Sequence, residues 1–69
     1  MISVSVRILA DVEAERQLVL PEGTSYYELL DLLGINPETV VIARDGTPVP
    51  FNNAVLPGEI EIIRVVSAG

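Results

Sequence analysis

Ser67, Ala68 and Gly69 are the residues of this chain whose types and position could support chemistry. They directly follow a strongly apolar run over 60–66. A tail of small side chains can bring its terminal carboxylate into a narrow enzyme channel, and glycine fits best because it has no Cβ. The alternative is an end without a role, since most termini are poorly ordered. The tail therefore suggests a carboxylate offered to a partner enzyme, provided that the rest of the chain agrees.

The remaining residues do not form a catalytic or metal-binding set. The chain has no cysteine and no histidine, which excludes a thiol nucleophile, a thiolate metal site and the usual general base near neutral pH. Asp11, Glu13 and Glu15 are spaced like an acidic metal loop, but the glycine and the bidentate glutamate of a calcium loop are missing. We therefore predict a solvated acidic turn over 11–15, no catalytic residue and no metal ligand.

Size and charge point to one small domain with a protein partner. The chain has 69 residues and a net charge of −6, which opposes binding to nucleic-acid phosphates and favours a positively charged protein. It contains no run of about 20 apolar residues and no secretion signal, so we expect no membrane segment and a cytoplasmic location. All four basic residues are arginine. The absence of lysine has two explanations, codon bias or a selected lack of side-chain amines that could be acylated.

The residue pattern predicts strands at both ends of the chain and one helix between them. Apolar and polar residues alternate strictly over 2–8, which is typical of a half-buried strand. A second strand is predicted over 17–20. Ser25 and Glu28 form a capping box at the start of a helix that Gly34 ends.

The second half of the chain predicts two more strands with sharp turns between them. A β-branched run over 39–43 meets the turn signal Asp45-Gly46, and the last strand is predicted over 59–66. The first and last strands are the most apolar, so we place them side by side and parallel at the centre of the sheet. These elements predict an α+β domain over 1–66 and a flexible C-terminal tail over 67–69.

The last strand carries a candidate docking surface. Its alternation breaks at Ile62-Ile63, so that Ile63 and Val65 share a side with the two glutamates of the strand, Glu59 and Glu61. Exposed apolar residues beside the tail would form a docking surface. Alternatively, a local twist or bulge buries both.

Two stretches carry a resemblance to a known family: Asn-Pro-Glu-Thr-Val-Val-Ile-Ala-Arg-Asp-Gly-Thr-Pro-Val-Pro over 36–50, and Leu-Pro-Gly-Glu-Ile-Glu-Ile-Ile-Arg-Val-Val over 56–66. In these the chain resembles β-grasp, ubiquitin-like proteins. Within that group it is similar to the small archaeal modifier proteins and to the sulfur carriers of thiamine, molybdopterin and tRNA-thiolation chemistry. The resemblance implies a mixed sheet of four to five strands packed on one helix.

The resemblance also implies a function. An activating enzyme would use ATP and magnesium to adenylate the carboxylate of Gly69, with Ser67 and Ala68 in its channel and with Ile63, Arg64 and Val65 at the docking surface. The product would be a thiocarboxylate for a sulfur-accepting enzyme, or an isopeptide bond to a lysine of an acceptor protein. The chain itself would bind no cofactor.

One feature departs from the family, whose members end in Gly-Gly where this chain has Ala68-Gly69. A further glycine could follow, alanine could be tolerated, or activation could be lost. Two other functions stay open: a non-covalent β-grasp interaction domain, and a subunit of an enzyme whose active site receives the tail.

Overall fold

A five-stranded mixed sheet with one helix on one face makes up the computed structural model, which describes residues 1–10 and 12–65. Its elements are β1 (Ile2–Leu9), β2 (Glu13–Leu20), α1 (Tyr26–Leu33), a 3₁₀ turn (Pro37–Thr39), β3 (Val40–Arg44), β4 (Thr47–Pro48) and β5 (Gly58–Arg64). The strand order is β2-β1-β5-β3-β4, with β1 and β5 parallel and the other neighbours antiparallel. The predicted α+β fold, with its parallel first and last strands at the centre, is confirmed.

The core lies between the sheet and α1. Residues of the three central strands point toward the helix and are almost inaccessible, as are the residues on one side of α1. These core residues are Val4 and Val6 of β1, Ile60 and Ile62 of β5, Ile42 of β3, and Tyr26, Leu29 and Leu30 of α1. Complete burial of one such aliphatic side chain stabilises the fold by about 1.5–3 kcal/mol.

The two ends of α1 follow the predicted signals. The hydroxyl of Ser25 accepts a hydrogen bond from the backbone N–H of Glu28 at 3.2 Å, and the Glu28 carboxylate accepts one from the N–H of Ser25 at 3.1 Å. Gly34 ends the helix in the left-handed conformation, with φ of 71°. The capping box and the glycine stop are therefore confirmed, and they fix the helix to two turns over the centre of the sheet.

The predicted acidic turn over 11–15 is wrong for its second half. Glu13, Ala14 and Glu15 belong to β2, which pairs with β1 from Glu13 onward instead of beginning at Gln17. Their side chains are exposed, and Glu13 and Glu15, opposite Leu9 and Arg7, lie on the face of the sheet away from α1, so the segment carries no apolar alternation. Asp11 lies outside the described residues.

Smaller shifts affect the other strands. β3 begins one residue later than predicted, because Thr39 ends the 3₁₀ turn, where its hydroxyl donates to the carbonyl of Asn36 at 2.7 Å. Asp45 and Gly46 both have positive φ, 53° and 77°, as the tight turn between β3 and β4 requires.

Candidate functional site

The face of the sheet opposite α1, called here the open face, carries Ile63, one of the three predicted docking residues. Along β5, Ile60 and Ile62 point into the core, whereas Glu59, Glu61 and Ile63 lie on the open face. Ile63 is half-buried, and Val65, one residue beyond the last strand residue, is 56% exposed. The predicted alternative, in which a twist or bulge buries both residues, is therefore not the arrangement found.

The strand register places Ile63 in a row of apolar side chains. Ile63 lies opposite Leu9 of β1 on one side and opposite Val41 of β3 on the other. Leu9 is half-buried and Val41 is 37% exposed. Leu9, Ile63 and Val41 are called the apolar row. It crosses the three central strands at the end where β5 finishes.

Sequence reasoning missed two members of the apolar row. The alternation of β1 identifies its apolar face only as far as Ile8, and Val41 belongs to a β-branched run that shows no alternation from which its face could be assigned. The missing information was the register, since cross-strand neighbours form a surface only when their pairing is known. The predicted parallel pairing of the first and last strands was the signal from which Leu9 could have been found.

A cluster of ion pairs lies beside the apolar row on the open face. The guanidinium of Arg7 lies 3.4 Å from Glu13, 3.6 Å from Glu15 and 4.0 Å from Glu61. The Arg7 side chain is half-exposed, and the two glutamates of β2 are 63% and 69% exposed. Exposed pairs of this kind contribute about 0–1 kcal/mol each, so the cluster shapes the charge of the surface more than the stability of the fold.

Arg64, the third predicted docking residue, is not brought onto the open face. It lies opposite Val40 at the end of β5 and has the strand parity of Ile62 rather than that of Ile63. Its side chain is exposed. Arg64 is therefore placed at the edge of the candidate surface, beside Val65.

Val65, the residue that follows β5, is bonded to the 3₁₀ turn that precedes β3. The backbone N–H of Val65 donates to the carbonyl of Thr39 at 2.9 Å. This bond continues the β3–β5 ladder one residue past Arg64. The tail residues assigned to activation, Ser67, Ala68 and Gly69, lie outside the described residues, so their roles stay predictions.

Among residues 1–10 and 12–65, no group of three or more histidine, cysteine, aspartate or glutamate side chains is arranged to hold a metal ion. No helix in these same residues has the length and apolar content needed to cross a membrane.

Solved structures share this fold. A ubiquitin of Caldiarchaeum subterraneum superposes with a TM-score of 0.69 at 14% identity, over 99% of this chain and 98% of that one. A ubiquitin-like protein from the same hyperthermophilic archaeon gives a TM-score of 0.63 at 9% identity, over 97% of this chain and 100% of the other. At these identities the likeness establishes a ubiquitin-like, β-grasp fold.

Sequence comparison is more specific. An uncharacterized protein of Archaeoglobus fulgidus is 49% identical over 47 residues, which is 68% of this chain and 70% of that protein. The family model for small archaeal modifier protein 2 matches residues 2–66. The match spans the whole sheet and the helix that covers it. The chain therefore belongs to the small archaeal modifier protein 2 family and is a ubiquitin-like modifier.

Proposed function

We propose that this modifier is activated at the carboxylate of Gly69 by an ATP-dependent adenylating enzyme. Its membership of a modifier family supports the proposal, and so does the position of the apolar row. The row includes Ile63, only two residues before Val65, the last residue with a described backbone bond to the sheet. A partner that covers the apolar row would therefore bind the chain within six residues of the Gly69 carboxylate.

The chemistry proceeds in two displacements. A carboxylate oxygen of Gly69 attacks the α-phosphorus of ATP, the bond to the β-phosphate oxygen breaks, and pyrophosphate leaves. Hydrosulfide or the lysine amine of an acceptor protein then attacks the acyl carbon, and AMP leaves. The products are a thiocarboxylate or an isopeptide bond, and adenylation is needed because a free carboxylate has no good leaving group.

The modifier and the enzyme contribute different parts of this reaction. The enzyme supplies the ATP site, the magnesium and the catalytic groups, while the modifier supplies the carboxylate and a surface for docking. On that surface Ile63 and Val65 make apolar contacts, and Arg64 lies at its edge. Small side chains at Ser67 and Ala68 let the backbone pass through a narrow channel.

The proposal is tested by mass spectrometry of the full chain, tagged at its N-terminus and recovered from its host under denaturing conditions. We expect either sulfur in place of one oxygen at the terminal carboxyl group, or an isopeptide bond from Gly69 to a lysine of another protein. A variant that lacks Gly69 is the matched control, and it should keep the circular dichroism spectrum of the fold while losing both products.

An unmodified carboxylate without conjugates, also in cells starved of sulfur, would overturn the proposal. The open face would then serve a non-covalent interaction domain. That function predicts binding that persists without Gly69 and is lost in Ile63→Asp.

A further inference from the structure

We infer that the acidic side chains of the open face select a partner surface rich in arginine or lysine. The inference rests on the proposed function, because the partner it describes is the adenylating enzyme. It concerns a different part of the surface from the tail, namely the four glutamates next to the apolar row. These are called the acidic set: Glu13 and Glu15 of β2, and Glu59 and Glu61 of β5.

The sheet register collects the acidic set on one surface. Glu13 lies opposite Leu9, at the end of the apolar row, and Glu15 and Glu61 flank Arg7 in the neighbouring row. Glu59 lies one row further, opposite Ser5. Side chains of Ser5, Arg7, Glu15, Glu59 and Glu61 line a single open concavity. A partner that covers the apolar row therefore meets the carboxylates at the same time.

Arg7 compensates only part of this charge. Four glutamates and one arginine leave these rows with three net negative charges, half of the −6 carried by the whole chain. The guanidinium lies at 3.4–4.0 Å from three carboxylates, at the long end for ion pairs. The carboxylates of β2 remain well exposed to water, so they are available to a second cation from a partner.

The same charges exclude other occupants of the open face. A second copy of the chain would bring one acidic surface against another, and like charges at an interface are unfavourable. Nucleic-acid phosphates are repelled for the same reason. The carboxylates come two each from β2 and β5, and no group of three or more histidine, cysteine, aspartate or glutamate side chains in the described residues is arranged to hold a metal ion. A cationic protein surface with an apolar centre is the complementary partner.

Charges at the rim of an interface act mainly on association. Complementary fields raise association rates by about 10- to 1000-fold at low ionic strength, and the gain falls as salt screens the charges. We therefore expect the acidic set to lower the KM for the modifier in adenylation and to leave kcat unchanged. The apolar row and the tail would set the bound geometry.

The test uses the purified adenylating enzyme of the same organism and ATP–pyrophosphate exchange, with the full-length modifier as the varied substrate. The test variant is Glu59→Arg/Glu61→Arg, in which arginine is chosen so that no new acylable amine is introduced. Glu22→Arg/Asp31→Arg is the matched control, because it makes the same charge change at exposed positions away from the open face. Glu59→Gln/Glu61→Gln removes charge without placing new arginines beside Arg7.

We expect the open-face arginine variant to raise KM by about tenfold or more at low salt, with kcat unchanged, and the glutamine variant to give a smaller rise. The difference should shrink at about 0.5 M salt, where the Debye length falls to a few ångströms. Equal KM values for the open-face and control variants would overturn this inference while leaving the proposed function intact. A wild-type chain that neither binds the enzyme in calorimetry nor supports exchange would overturn both.

Discussion

Gly58 begins the strand that leads to the tail, and we predict that Gly58→Ala destabilises the fold by about 2–3 kcal/mol. Gly58 has a φ of +118°, where an L side chain is strained by about 1–2 kcal/mol. A Cβ at this position would also lie 2.8 Å from Nη2 of Arg44. The guanidinium of Arg44 donates to the carbonyl of Leu56 at 3.0 Å and to that of Pro57. Moving it aside would cost these bonds, about 1 kcal/mol at an exposed site.

Guanidinium denaturation followed by circular dichroism measures this loss. With a slope of about 2 kcal/mol per molar, the midpoint of Gly58→Ala should fall by about 1–1.5 M. Gly23→Ala is the matched control: its φ is +89°, but its Cβ would meet no atom within 4 Å, so only the backbone strain remains.

A double-mutant cycle separates the two costs. In an Arg44→Ala background the collision is absent, and Gly58→Ala should cost about 1 kcal/mol less than in the wild type. An equal cost in both backgrounds, matching that of Gly23→Ala, would refute the role assigned to Arg44.

Three further predictions concern the helix cap, the two sides of β5 and the backbone bond between Val65 and Thr39. Ser25→Ala should lower the unfolding free energy by about 1 kcal/mol through loss of the capping box, and an unchanged denaturation midpoint would contradict this. Ile62→Ala should cost about 2–5 kcal/mol because Ile62 is fully buried, whereas Ile63→Ala should cost about 1 kcal/mol or less; equal losses in denaturation would show that the assignment of faces is wrong. Thr39→Val removes a hydroxyl donor from the 3₁₀ turn and should speed hydrogen exchange of the Val65 amide, which donates to the Thr39 carbonyl. An unchanged exchange rate of the Val65 amide would show that the hydroxyl bond of Thr39 does not stabilise the backbone bond between Thr39 and Val65.

Local signals were sufficient for the helix and for the strands of the core. Ser25 and Glu28 start α1 through bonds within four residues, and Gly34 ends it through its own backbone conformation. The alternation of β1 and the apolar β5 reflects burial against α1, so their pairing at the centre could be expected from composition alone. In each case the residues that give the sequence signal are the same residues that form the cap, the helix end or the buried contacts.

The first half of β2 and the apolar row lacked such signals. Glu13 and Glu15 are exposed, and they lie in a strand because they pair with Leu9 and Arg7 of β1, and both carboxylates lie within ion-pair distance of Arg7. Leu9 and Val41 become neighbours of Ile63 only through the register of three strands that are distant in sequence. Features that depend on pairing across the sheet could not be predicted from the periodicity of one segment.

One face of β5 stabilises the core, and the other face is accessible to a partner. Ile60 and Ile62 fill the core, while Glu59, Glu61 and Ile63 of the same strand remain on the open face. Because side chains alternate along a strand, the open face can change its charge or apolar content with little effect on packing against α1. Substitutions of Glu59 or Glu61 can therefore probe partner selection in a folded chain.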